Sequence, residues 1–144
     1  MPFHGNYDHS LDAKNRLTVP ARFRADLAQG VVLAMGFERC LQVYPAAEYQ
    51  QIAERALQGV NPMSLQAREL RRHLYGNTLP TELDSAGRIM LPAPFAQYAG
   101  ISKEVMVVGA GDCLEIWDRA AYDSHKVDLI ARAAEHIESV AHTA

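Results

Sequence analysis

Asp12-Ala13-Lys14-Asn15-Arg16-Leu17-Thr18-Val19-Pro20-Ala21-Arg22-Phe23 and Asp84-Ser85-Ala86-Gly87-Arg88-Ile89-Met90-Leu91-Pro92-Ala93-Pro94-Phe95 are one pattern written twice, seventy-two positions apart. Asp, Arg, Pro, Ala and Phe recur at identical spacing. The echo continues at a displacement of seventy-three, where Val32, Gly36, Cys40, Leu41, Ala47 and Tyr49 return as Val105, Gly109, Cys113, Leu114, Ala120 and Tyr122. A register held on both sides of a single one-residue step marks two copies of one supersecondary unit.

Around each arginine the residues alternate. Leu17 and Val19 oppose Arg16 and Thr18, as Ile89 and Leu91 oppose Arg88 and Met90, which is the period of a half-buried strand with the arginine on its polar face. Ahead of each strand an Asp heads a tight turn, and Asn15 or Gly87 stands where the backbone needs positive φ, which these two residue types tolerate best. With the preceding stretches 6–11 and 78–83, this predicts two β-hairpins tipped by Lys14-Asn15-Arg16 and Ala86-Gly87-Arg88. Pro20 and Pro92 end the strands and suit the first turn of short helices, from which Phe23 and Leu27, or Phe95 and Tyr98, turn inward.

Strands follow at 31–35 and 40–44 in the first copy, and at 105–108 and 113–117 in the second. A helix over 46–57 carries Tyr49, Ile52, Ala53, Ala56 and Leu57 on one stripe and stops at Gly59-Val60-Asn61-Pro62. A second helix begins near Ser64, carries Leu65, Leu70 and Leu74, and ends near Gly76. After Asp123, Val127, Ile130, Ala134, Ile137 and Ala141 are spaced by three and four residues. That stripe calls for cover, from the body of the molecule or from a neighbouring subunit. The expected organisation is a first unit at 6–49, a helical connection at 50–77, a second unit at 78–122 and a C-terminal helix at 123–144. A unit of about forty residues buries too little apolar surface to stand alone, so the two copies should share one core. The fold class is α+β with a mainly β core.

The 144 residues are 49% hydrophobic and 22% charged, ordinary for a globular protein. No transmembrane run and no secretory signal is present, which predicts a cytoplasmic protein without membrane association. The net charge of −3 does not announce a nucleic-acid binder, yet its distribution matters more than its sum. Lys14, Arg16, Arg22 and Arg24 fall close together, and Arg68, Arg71 and Arg72 form a second basic group. Two isolated cysteines, Cys40 and Cys113, make neither a disulfide framework nor a metal knuckle and read as small buried hydrophobes.

Enzymatic chemistry has little to stand on here. The six histidines show no metal-binding spacing, and Gly109-Ala110-Gly111-Asp112 lacks both the lysine of a P-loop and the third glycine of a dinucleotide fingerprint. No catalytic residue, metal or cofactor is expected. The recurring Asp and Arg fit a local turn with a structural ion pair. An arginine at a hairpin tip also suits DNA, because its guanidinium can donate two parallel bonds to guanine O6 and N7 in a groove that admits a two-stranded ribbon. One such pair discriminates by only about 1 to 3 kcal/mol, so specificity needs several tips together.

The repeated pattern Asp-x-x-Gly/Asn-Arg-(apolar)-x-(apolar)-Pro resembles the DNA-binding domain of the AbrB/SpoVT and MazE class. Two tandem copies, with His4-Gly5-Asn6-Tyr7 ahead of the first and Glu115-Ile116-Trp117-Asp118 in the second, are similar to the MraZ family from Phe3 to about Tyr122. The resemblance implies an AbrB-like swapped-hairpin split β-barrel and a bacterial, nucleoid-associated transcription regulator. It implies repression of the cell-division and cell-wall gene cluster that includes its own promoter. It further implies ring-shaped homo-oligomers on G-containing direct repeats of double-stranded DNA, contacted by Lys14, Asn15, Arg16 and Arg88. Two departures stand out: Asn15 replaces the usual Gly, and Tyr75-Gly76-Asn77-Thr78 stands where the family typically has a Ser-Gly-Ala run, while Ala86 offers no polar group opposite Lys14. With one cation and with Glu82 and Asp84 close by, the second tip should attract phosphate less strongly. The competing reading is an antitoxin-like interaction module whose tail masks a partner protein.

Overall fold

The structure, a computed structural model, describes residues 2–143. Eight strands and five α-helices follow one another among the described residues. The first repeat contributes β1 (Asn6–Ser10), β2 (Arg16–Thr18), a 3-10 turn (Ala21–Phe23) leading into α1 (Arg24–Leu27), β3 (Val31–Met35), β4 (Leu41–Pro45) and α2 (Ala46–Leu57). Next, α3 (Leu65–Arg71) runs into a π-helical turn (Arg72–Gly76). The second repeat contributes β5 (Thr78–Thr81), β6 (Arg88–Met90), α4 (Ala93–Tyr98), β7 (Glu104–Gly109), β8 (Leu114–Asp118) and α5 (Arg119–Thr143).

The strands on either side of each Asp-headed turn do not zip together, contrary to the expected hairpins. Each turn closes locally, with the Asp12 N–H donating to the Arg16 carbonyl (3.1 Å) and Asp84 to Arg88 in the same way (2.9 Å). Beyond that bond the strands part. β1 pairs antiparallel with β7 of the other repeat, β5 pairs with β3, and β2 and β6 pair with each other. Every backbone group of a strand needs a partner, and here each repeat supplies the other's. The result is the swapped-hairpin arrangement: an open six-stranded sheet in the order β1-β7-β8-β4-β3-β5, faced by the two-stranded ribbon β2-β6.

One core joins ribbon and sheet. Leu17 and Ile89 on the inner face of the ribbon pack with Leu33, Val43, Val107 and Ile116 of the sheet, all essentially inaccessible. Both repeats contribute, as neither is large enough to do alone. The prolines sit one step earlier than expected: Pro20 and Pro92 occupy the position just before the first turn, in extended backbone with ψ of 134° and 149°. Phe23 and Leu27 are buried, while Phe95 and Tyr98 pack against the core partly covered.

The other face of the sheet carries two matching aromatic pairs, Tyr44–Tyr49 and Trp117–Tyr122, with ring centroids 4.9 and 5.5 Å apart. In the first repeat α2 covers this face through Tyr49 and Ala53, joined by Leu74. Ser64 caps α3, its side chain accepting from the Ala67 N–H; Leu65 is exposed. In the second repeat only the start of α5 covers the sheet. Tyr122 packs with Met106, Trp117 and Cys40, and Arg119 pairs with Asp8 at 3.3 Å. Beyond His125 the helix leaves the body, and Val127, Ile130 and Ile137 are about 70% exposed, so the body of the chain does not cover the stripe. Both cysteines are buried and free. No helix among the described residues is long and apolar enough to cross a membrane.

Candidate nucleic-acid interface

The two turns are built alike. Asp12 Oδ1 accepts from the Lys14 and Arg16 backbone N–H groups (2.9 Å each), and Oδ2 accepts from Arg16 Nε at 2.7 Å. Asp84 repeats this with the N–H groups of Ala86 and Arg88 (2.9 Å each) and with Arg88 Nε at 2.8 Å. The Arg16 and Arg88 backbone N–H groups, with the guanidiniums adding to them, hold the respective carboxyls below the usual 3.8 against a smaller opposing effect of burial. The structural ion pair anticipated from the sequence is therefore present at both turns. It uses Nε, the inner donor of the guanidinium, and leaves the two Nη groups as a preset fork. Positive φ occurs where expected, +57° at Asn15 and +76° at Gly87.

Because β2 and β6 pair with each other, the two arginines belong to one surface. Arg16 faces Met90 and Thr18 faces Arg88 across the ribbon, with the buried pair Leu17–Ile89 between them on the inner face. Two further bonds lengthen the ribbon: the Leu91 N–H donates to the Asn15 carbonyl (2.9 Å) and the Val19 N–H to the Gly87 carbonyl (3.0 Å). The turns thus mark its two ends. Arg16 and Arg88 stand on the diagonal, where Cα atoms lie about 7 to 8 Å apart, close to two base-pair steps. Arg88 Nη1 also lies 4.0 Å from Asp12 Oδ2, so Asp12 touches both guanidiniums. Lys14, Asn15, Arg16 and Arg88 all fall on this one element.

One further basic side chain reaches the second turn, a placement that sequence reasoning missed. Arg24 donates from Nε to the Val19 carbonyl (3.0 Å), and its side chain lies across Gly87, where an added Cβ would come within 2.5 Å of Nε. The second tip is therefore not poor in cations, as its own repeat suggested; the first repeat lends it Arg24. The signal was present in the cluster from Lys14 to Arg24, but assigning it to the other turn required the strand exchange. At the first turn, Lys103 lies beside Asp12 and Asn15 in an open hollow, its carbonyl accepting from the Leu11 N–H (2.9 Å).

Three of the other arginines serve contacts away from the ribbon. Arg22 donates to the Tyr7 hydroxyl (2.8 Å), while Arg68 and Arg71 donate to the Met63 and Pro62 carbonyls. Among the described residues, Glu38, Cys40 and Glu115 are the one group of metal-type donors, within 4.8 Å of one another. Burial, with the two carboxylates adding to it, pushes the Cys40 thiol far up. This group lies on the sheet face away from the ribbon.

A family model described as "MraZ protein, putative antitoxin-like" matches residues 2–73 and again 74–140. The chain is similar to curated proteins named transcriptional regulator MraZ. It is 40% identical to that of Nocardioides sp., covering 99% of both chains, and 41% identical to that of Kocuria rhizophila, covering 96% of both. Identity to the protein of Mycoplasmoides gallisepticum is 40%, over 84% of each chain. These relatives are named as transcriptional regulators, a class of proteins that are not enzymes.

Proposed function

The chain belongs to the MraZ family, and on that premise we propose that it is a sequence-specific repressor whose arginine ribbon reads double-stranded DNA. The observation that carries the reading is the convergence of Arg16 and Arg88, each held by its own Asp, on the outer face of one two-stranded ribbon. Such a ribbon fits a major groove about 12 Å wide. Its Nη forks suit guanine O6 and N7, and Lys14 and Asn15 flank them at the first turn. The targets are G-containing direct repeats in the promoter of the bacterial cell-division and cell-wall cluster, the chain's own promoter included. The protein works in the cytoplasm at the nucleoid, without a membrane partner, as a homo-oligomeric ring that presents several ribbons to successive repeats. The units 6–49 and 78–122 form the reader, with 50–77 as connection and 123–144 as the tail.

Gel-shift titration of Arg16→Ala on the upstream promoter tests this directly. Binding should fall by about tenfold to a hundredfold while the variant stays folded and assembled; wild-type affinity would remove Arg16 as the reader. Binding should also weaken steeply with salt, because phosphate contacts release counterions.

The second reading, an antitoxin-like module, draws on one observation: the exposed stripe Val127, Ile130 and Ile137 on α5. Purification from the native host distinguishes the two. A protein recovered only with itself and DNA counts against a masked partner.

A further inference from the structure

The outer face of the ribbon carries four side chains: Arg16, Thr18, Arg88 and Met90. The two arginines are equivalent under the duplication, and so are Thr18 and Met90. The first pair is chemically identical and the second is not. Met90 is 55% exposed and lies directly opposite Arg16 at one end of the ribbon. A single exposed apolar side chain is ordinary on a protein surface; what sets Met90 apart is its place beside Arg16 on the outer face of the ribbon.

We propose that Met90 is a specificity-determining residue that contacts the 5-methyl group of a thymine close to the guanine read by Arg16, giving each chain a directional, non-palindromic DNA element. This inference rests on the DNA-binding reading above. Base edges in the major groove offer donors, acceptors and one apolar feature, the thymine methyl. Met90 has no donor and only a weak thioether acceptor, so that methyl is the feature it matches. Thr18, beside Arg88, offers a hydroxyl that bonds to several base edges. One end of the ribbon therefore reads guanine with thymine, and the other reads guanine with a more permissive neighbour. A ribbon with identical ends would favour a palindrome, since site symmetry follows protein symmetry. Unequal ends supply the direction that repeats in a single orientation require.

The test begins with selection of duplexes from a randomised library by the wild-type protein. Each thymine in the selected site is then replaced by uracil, which removes the methyl and keeps the pairing. One thymine within two base pairs of a guanine should lose about fourfold in affinity, the effect of one buried methyl. Met90→Ala should bind the thymine and uracil duplexes alike. A second variant, Met90→Gln, keeps the length of the side chain and should shift the preferred base there to adenine, whose N6 and N7 suit an amide. Insensitivity of every thymine, or a methyl effect undiminished in Met90→Ala, overturns the inference while leaving DNA binding intact. A wild-type protein that enriches no sequence overturns the DNA-binding reading, and this inference with it.

Discussion

The turn at Asp12 and the turn at Asp84 share one skeleton and differ in what surrounds it. Both carboxylates take two backbone N–H groups and one guanidinium Nε at nearly the same distances. Around the first turn, Asn15 is exposed and Lys14 adds a charge; around the second, Gly87 is buried beneath Arg24. Duplication places Ala96 where Arg24 stands. Two differences between the repeats therefore go together, Asn15 against Gly87 and Arg24 against Ala96, and at the second turn the large helix residue demands glycine. The repeats have diverged as complementary halves of one site.

The largest effects should follow from removing each arginine in turn. Arg88→Ala should weaken promoter binding by about 1 to 3 kcal/mol, as Arg16→Ala does, because the same Asp holds both forks on the same face. Isothermal titration of the two variants on one promoter duplex checks it. A silent Arg88→Ala would mean that the skeleton is shared and the reading is not.

Next in size is the coupling between Gly87 and Arg24. Gly87→Asn should cost about 1 to 2 kcal/mol of stability, from positive φ in a residue with a Cβ and from collision with the Arg24 side chain. Arg24→Ala in the same chain should recover part of that loss, and Asn15→Gly should stay within about 0.5 kcal/mol of wild type. Denaturant unfolding of wild type, Gly87→Asn, Arg24→Ala and the double variant measures the cycle, with Asn15→Gly measured beside them. Additive effects of Gly87→Asn and Arg24→Ala would show that the two positions do not constrain each other.

A smaller effect separates reading from gripping. Lys14→Ala and Arg24→Ala should each weaken binding evenly across DNA sequences and reduce the slope of log affinity against log salt by about 0.9, one phosphate contact apiece. Equal changes would show that the loan of Arg24 balances the missing cation at Ala86. A change for Lys14 alone would restore the unequal tips that the sequence suggests.

The sequence disclosed most of the local structure, because local structure depends on near neighbours. Alternation around Arg16 and Arg88 marked β2 and β6, the 3.6-residue stripe marked α2 to its last residue, and Asn15 aligned with Gly87 revealed a shared positive φ. Strand partners were another matter. Nothing in the stretch 6–11 says that it pairs with β7 rather than with β2, since antiparallel partners are set by the shape of the shared core. That pairing decides the site: it places Arg16 and Arg88 on one ribbon and Arg24 over the other repeat's glycine. The tail shows the converse. Its apolar stripe was legible, yet α5 leaves the body after His125, and periodicity states that a face needs cover without stating whose.

The finest test of a shared skeleton is the titration of Asp12 and Asp84. In the folded chain both carboxyls lie below the usual 3.8, with the backbone N–H of Arg16 or Arg88 as the largest cause and the guanidinium as a lesser one. A pKa depressed by folding stabilises the folded state fully above the unfolded value and ceases to do so as pH falls through the folded value. The turns should therefore be indifferent to pH across the neutral range and loosen only below about 4. Carbon-detected NMR of the two carboxyls should give midpoints under 3.8 at both sites. Arg16→Gln and Arg88→Gln should each raise the midpoint of their own Asp only part of the way back, because the backbone donors survive the substitution. A full return at either turn would assign the carboxylate's environment to the guanidinium instead, and a full return at only one would show that two turns with the same bond lengths are held together by different forces.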